Sequence, residues 1–207
     1  MATRGSTGSS SAKLPVVMAN ELIWRLSVEQ YHKMIRAGIL TENDPVEFLE
    51  GWLVHKMPKN SPHSISTKLI RQTLARTLPD GWYVETQEPI TLQDSEPEPD
   101  VVVIRGSIRD YTERYATAEE VAFVVEVASS TLERDRRLKR RIYARAEIPV
   151  YWLVNLVENC VEVYTAPIGD SVEADYQQLQ ICHLSDAVPV VIEGQEIARL
   201  TVRDLLP

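Results

Sequence analysis

A mixed α/β (α+β) domain, with one central sheet flanked by helices, is predicted for this 207-residue chain by three observations. Helix and strand periodicities follow the order helix, three strands, helix, strand (αβββαβ), with further elements at both ends. The apolar runs at residues 101–104 and 123–127 are too short for helices and read as neighbouring buried strands. A third apolar run, over 148–154, begins at a proline and follows a long helix.

Each element has its own signal. Ser27 with Gln30 forms a capping box, so a helix is expected over about residues 28–37. Val46-Glu47-Phe48-Leu49-Glu50-Gly51-Trp52-Leu53-Val54 reads as two short strands turning near Gly51. Ser61-Pro62 opens a second helix, since proline fits a first turn, and Ile65, Leu69, Ile70, Thr73, Leu74 and Leu78 give it an apolar face. Strands are expected at about 82–86, 99–104 and 121–127, with a short helix and loop over 107–120. Ser130 with Glu133 is another capping box, and its helix should reach about Ala146. A strand over 148–154 pairs with one at 161–164 through a turn at 157–159. Strands near 176–182 and 188–192 and a short helix at 201–206 complete the chain. No repeat or linker interrupts this order, so one domain is expected over 21–207, behind a disordered tail over 1–20.

Composition excludes several classes. With 44% apolar and 25% charged residues this is an ordinary globular chain. No apolar run approaches the ~18 residues that cross a membrane. The Ser- and Gly-rich start lacks the apolar segment of a secretory signal. A cytoplasmic protein is expected, with Cys160 and Cys182 reduced. The net charge of −8 argues against a protein that coats nucleic acid but leaves room for a local basic surface.

The chemistry concentrates at the strand ends. Glu98-Pro99-Asp100 opens one buried run and Glu126 closes its neighbour. Two carboxylates brought together repel unless a cation lies between them, and oxygen-only ligands suit a divalent ion such as magnesium. Either acid alone reads as a solvated strand end; the pair taken with Lys139 does not. At about 100° per residue, Ile142, Ala146, Lys139, Leu138 and Tyr143 fall within about 80° of Asp135 on the helix wheel. Arg134, Arg136, Arg137, Arg140 and Arg141 fall outside that arc, on the outward faces, and Arg145 stands at its edge. Asp135 and Lys139 therefore lie on the sheet-facing stripe, either as an i,i+4 pair or as part of a site beside Glu126. The arginines form either a solvated face or a phosphate-binding surface.

These residues resemble a known family. Glu47-Phe48-Leu49-Glu50-Gly51, His63, Pro99-Asp100, Val125-Glu126-Val127 with Ser129 and Thr131, Asp135…Lys139…Tyr143 and Tyr151-Trp152-Leu153-Val154 are similar to the Uma-two family, over roughly residues 26–205. That bacterial family, long called a domain of unknown function, is placed in the restriction-endonuclease-like PD-(D/E)XK superfamily. The superfamily lysine stands two residues after the Glu; here Ala128 occupies that position. The family moves the lysine onto the following helix, where Lys139 stands. Asn155 also departs from the family, which usually has an acid there.

The resemblance implies a restriction-endonuclease-like core and a Mg²⁺- (or Mn²⁺-) dependent endonuclease acting on DNA. Asp100 and Glu126 would ligate the ion, with the Val127 carbonyl as a third ligand, and Lys139 would orient or deprotonate the attacking water or steady the charged transition state. Glu47 would add a ligand or water contact, or be a hairpin edge residue. His63 would contact a phosphate, or make a structural hydrogen bond at a helix N-terminus. Asp135 and Tyr143 would support the centre, and Arg136, Arg137, Arg140 and Arg141 would contact nucleic acid. A homodimer is a candidate assembly, since two copies can serve two strands. The competing reading is a catalytically degenerate nuclease-fold module that binds nucleic acid or protein. Net acidity and Ala128 favour that module; the acid–acid–lysine set favours the enzyme.

Overall fold

In the computed structural model, which describes residues 23–169 and 173–207, a six-stranded mixed sheet carries the fold. The tail expected over residues 1–20 lies outside the described residues. Across the sheet stand Asp175–His183 (β10), Cys160–Ile168 (β9), Val150–Asn155 (β8), Val121–Ala128 (β7), Val101–Arg105 (β5) and Trp82–Glu85 (β3). The β7–β8 pair is parallel and the other neighbours are antiparallel. A parallel pair cannot be joined by a hairpin, and the helical segment over 132–145 (α3) makes the crossover. Three small pairs lie outside: Val46–Leu49 (β1) with Trp52–His55 (β2), Ile90–Thr91 (β4) with Ala116–Thr117 (β6), and Ala187–Ile192 (β11) with Gln195–Thr201 (β12).

Alternation along the central strands builds two cores. Val101, Val103, Phe123, Val125 and Trp152 face Ile70 and Leu74 of Ser61–Ala75 (α2) and the β11–β12 hairpin. Val102, Val124, Tyr151 and Leu153 face Ile142, Tyr143 and Ala144 of α3. The two-residue strand period thus puts Glu126, next but one to Val124, on the α3 face. A helix over Val28–Arg36 (α1) precedes β1, and both halves of its Ser27–Gln30 capping box are formed. Its Tyr31 stacks on Phe48 of β1 with centroids 4.7 Å apart.

The sequence and the structure part at particular places. The helix expected from a Ser130–Glu133 capping box begins at Leu132, and its N-cap, Thr131, makes no side-chain capping bond. It is also not uniform: an α-helical turn over Leu132–Arg134 widens into a π-helical turn over Asp135–Lys139 before α-helix resumes over Arg140–Arg145. Ile65, assigned to an apolar face, is 43% exposed, and the small residues Ser66 and Thr67 take the buried positions instead. Ser66 earns that place by donating its hydroxyl to the Leu205 carbonyl at 2.6 Å. Strand β12 falls where no strand was expected, because its Glu196 and Arg199 hide the alternation of an exposed hairpin arm. The expected terminal helix is one 3₁₀ turn over Val202–Leu205. Both cysteines are free and buried. No helix among the described residues is long and apolar enough to cross a membrane.

Phe123 has no solvent exposure and stacks on Trp152 at 5.0 Å, between the central strands and α2. Phe123→Ala is expected to cost about 3–5 kcal/mol of stability. Urea unfolding should show this as a lower midpoint with an unchanged slope.

Candidate catalytic cleft

Strand register brings the two acids together. Val101 pairs with Val125 across β5 and β7, so Asp100 and Glu126 are neighbours where the two strands meet. Asp100 is held from three sides. Its Oδ2 accepts the Val127 N–H at 2.9 Å and lies 2.9 Å from His63 Nε2 at the start of α2, while Oδ1 lies 3.1 Å from Lys59 Nζ. Burial pushes its carboxyl up, but His63, then Lys59 and the Val127 N–H, outweigh this and hold it below the ordinary range.

Lys139 is almost wholly buried, and two acids share its ammonium: Glu47 in a very short contact and Glu126 Oε1 at 3.1 Å. Glu126 Oε1 also accepts the Tyr143 hydroxyl at 2.6 Å. Burial would strip the Lys139 proton, but Glu126 and Glu47 outweigh it and hold the ammonium above the ordinary lysine range. Glu47 owes its position to the β1–β2 hairpin, whose Glu50 and Gly51 both adopt positive φ, as a two-residue turn demands. A Cβ on Gly51 would come within 2.6 Å of the Arg25 Cβ, so the turn also needs glycine for close approach. Glu47 Oε1 additionally accepts the Glu98 N–H at 2.7 Å, which ties the hairpin to the segment leading into β5.

Glu47, His63, Asp100, Glu126, Val127, Asp135 and Lys139 all line one cleft of about 80 Å³. Four of these are carboxylates no more than 6% exposed, facing one equally buried ammonium. That excess of negative charge shows in Glu126, whose carboxyl burial pushes up to about 8 despite Lys139, with Asp100, Asp135 and Glu47 adding repulsion. Burial likewise raises Asp135 against the pull of Thr131, Lys139 and Arg134. On this lining His63 Nδ1, Arg134 Nε and Asp135 Oδ1 make no hydrogen bond among the described residues, although the last two stand 3.5 Å apart as an ion pair. Hard oxygen donors and surplus negative charge are what a hydrated divalent cation needs, and Asp100 and Glu126 are the residues that could hold one.

Other residues stand elsewhere. Tyr143 lies behind Glu126 rather than on the cleft lining. The arginines expected to face outward are mostly half-buried and paired. Arg136 bonds Glu162 at 2.6 Å, Arg140 lies 2.9 Å from Asp175, and Arg141 bonds Glu50 at 2.6 Å. Arg137 keeps 81% of its side chain exposed beside Glu133. None of these four lines the cleft. Asp135 and Lys139 do not form the i,i+4 pair either, because the ammonium turns to Glu47 and Glu126. Among the described residues, Glu158, Cys160 and Glu162 bring three potential ligand atoms within 4.8 Å, but the Arg136 guanidinium already bonds both acids.

Sequence reasoning passed over Lys56, Lys59 and Arg134 as cleft residues. Lys56 pairs with Glu98 at 2.5 Å. A signal for these lysines exists in retrospect: they flank Pro58 immediately before the helix N-cap Asn60, which places them at the mouth of whatever α2 points at.

The Uma2 family model, described as "Putative restriction endonuclease", matches residues 28–203. A search of curated proteins finds no match. Among solved structures, a crystal structure of "a putative nuclease belonging to DUF820" from Anabaena variabilis ATCC 29413 superposes with a TM-score of 0.63. The two chains are 18% identical over 87% of this chain and 97% of that one, a likeness of fold.

Two outcomes follow from the electrostatics. A carboxyl with a raised folded pKa binds its proton more tightly folded than unfolded, so its stabilisation is present below its ordinary value of 4.5 and is lost as pH rises toward about 8. Metal-free protein should therefore melt at lower temperature as pH climbs through that window, and Glu126→Gln should flatten the slope; an unchanged slope would contradict the assignment. Lys139→Met leaves the buried Glu47 without its cation and is expected to cost about 3–5 kcal/mol. Adding Glu47→Gln should recover part of this in a double-mutant cycle read by urea unfolding.

Proposed function

Because the chain belongs to the Uma2 family, whose description is "Putative restriction endonuclease", we propose that it is a divalent-metal-dependent nuclease that hydrolyses phosphodiester bonds of DNA. The observation that carries this reading is the meeting of Asp100 and Glu126 at paired strand ends with the Lys139 ammonium 3.1 Å from Glu126. Family membership supports the nuclease class, and the DUF820 structure, described as "a putative nuclease", supports the fold on which such a site is built.

In this reading Asp100 and Glu126 would hold Mg²⁺ or Mn²⁺, and the Val127 carbonyl would serve as a third ligand. When bound, the ion supplies Lewis acidity and an activated water. The remaining work belongs to the chain. His63 and the Val127 N–H fix the orientation of Asp100. Tyr143 fixes Glu126 by donating to Oε1. Lys139 sets a permanent positive charge against the cleft wall, where it counters charge developing on the phosphate. DNA approaches the mouth between the β2–α2 connection and α3. Arg137 stands outside with an exposed charge, and Arg136, Arg140 and Arg141 serve chiefly to hold α3 to its neighbours. Two copies acting together would cut both strands of a duplex.

A second reading, a nuclease-fold module that binds without cutting, is favoured by one observation. Each cleft acid, Asp135 included, already has a cationic partner within the chain. A plasmid-nicking assay with Mg²⁺ or Mn²⁺ separates the two. The nuclease reading expects cleavage that falls at least about a hundredfold in Asp100→Ala and Glu126→Ala. It expects Lys139→Met to lose cleavage while Mg²⁺ still raises the melting temperature. A folded wild type that binds DNA and cuts under no metal condition supports the module.

A further inference from the structure

Three lysines sit on carboxylates in this cleft, and two of them, Lys139 and Lys59, are held very differently. Lys139 is 2% exposed and wedged between two acids. Lys59 keeps 37% of its side chain exposed, and its Nζ reaches one carboxylate oxygen, Asp100 Oδ1, at 3.1 Å. It stands on the connection from β2 to α2. Met57, Pro58 and Lys59 are exposed and make no backbone–backbone hydrogen bond among the described residues. The connection is fastened on either side, by Lys56 on Glu98 at 2.5 Å and by Asn60, whose side chain accepts the His63 N–H at 3.0 Å. Between those anchors Lys59 has a solvated stem on unbonded backbone.

The two oxygens of Asp100 are also treated differently. Oδ2 is fixed by the scaffold, through the Val127 N–H of β7 and His63 of α2. Oδ1 is capped by the one partner that can swing away. From this asymmetry we propose that Lys59 is the phosphate-binding lysine of the cleft, parked on Asp100 Oδ1 until a divalent cation takes that oxygen. The inference rests on the reading of the cleft as a cation-binding nuclease centre. A dication outcompetes one ammonium for a hard carboxylate oxygen, and the released lysine then faces an anionic phosphodiester at the mouth. Lys56 is less suited, because Glu98 is outside the ligand pair and nothing frees it. Arg134 is less suited as well, because its Nε lies 3.5 Å from Asp135. Lys59 therefore opposes metal binding and assists DNA binding, two effects of opposite sign from one side chain.

The test measures Mn²⁺ affinity by isothermal titration calorimetry in four full-length proteins: wild type, Lys59→Met, Asp100→Asn and Lys33→Met. Lys33 pairs with Glu29 on exposed α1 and controls for the loss of one positive charge. Lys59→Met is expected to bind Mn²⁺ more tightly by roughly tenfold, the scale of a partly exposed ion pair against a buried acid, while Lys33→Met is unchanged. Binding of a short labelled DNA duplex in Ca²⁺ should weaken in Lys59→Met, and its salt slope should shrink by about one. Unchanged or weaker Mn²⁺ binding in Lys59→Met, with Asp100→Asn losing the ion, overturns the role of Lys59 and leaves the metal site standing. A tighter ion with an unchanged salt slope overturns the phosphate role. Mn²⁺ binding that Asp100→Asn does not affect removes the metal-site reading itself, and this inference with it.

Discussion

The ammonium of Lys139 lies out of reach of bulk water, and Glu47 and Glu126 make that position tolerable. An unpaired buried charge costs several kcal/mol, so the three side chains have to arrive together or not at all. Each comes from a separate part of the fold: Glu47 from the β1–β2 hairpin, Glu126 from the centre of the sheet, Lys139 from the crossover helix. The ion cluster therefore fixes how the hairpin and α3 dock on the sheet. Its geometry also accounts for where the helix departs from regularity. The π-helical turn spans Asp135 to Lys139, the two charged residues on the buried face. Such turns gather at functional sites because they re-aim side chains that a regular helix would misdirect. One regular turn later, Tyr143 reaches Glu126 with its hydroxyl, so α3 grips the same carboxylate twice.

Four buried carboxylates around one buried ammonium is an arrangement that stability alone does not favour. The chain moderates it with peripheral groups, His63 and Lys59 on Asp100 and Arg134 beside Asp135. It leaves Asp135 Oδ1 and His63 Nδ1 without hydrogen-bond partners. Local frustration of this kind belongs at sites where a ligand completes the set. The contrast with Glu158, Cys160 and Glu162 is instructive. There Arg136 supplies the missing charge, Asn155 and Tyr164 add hydrogen bonds to Glu162, and the cluster is a finished structural joint between α3 and β9.

Much of this was legible in the sequence, and the gaps have physical causes. The central strands were readable because burial on both faces makes them continuous apolar runs, and the register that joins Asp100 to Glu126 follows from their pairing. The buried placement of Lys139 followed from a wheel drawn at regular helical pitch, although the real segment is π-helical. The error was harmless because Asp135 and Lys139 stay on one face under either geometry. Partner choice was not legible. Nothing local says that Lys139 prefers Glu47, 92 positions away, over Asp135 one turn back, or that Arg136 reaches Glu162 and Arg141 reaches Glu50. A helical wheel separates inward from outward faces but is silent about the carboxylates that neighbouring elements bring to the outward side. Lys59 escaped notice for the same reason, since a lysine in a short exposed connection looks like solvent-facing charge until the fold sets Asp100 beside it.

The central claim is that Asp100 and Glu126 share a divalent cation between the ends of β5 and β7. The most direct measurement is anomalous diffraction from crystals grown with Mn²⁺. The account predicts one anomalous peak within bonding distance of oxygens from both Asp100 and Glu126, with Lys59 withdrawn from Asp100 Oδ1. A peak at Glu158 and Glu162 instead, or no peak in the cleft at saturating Mn²⁺, would contradict it.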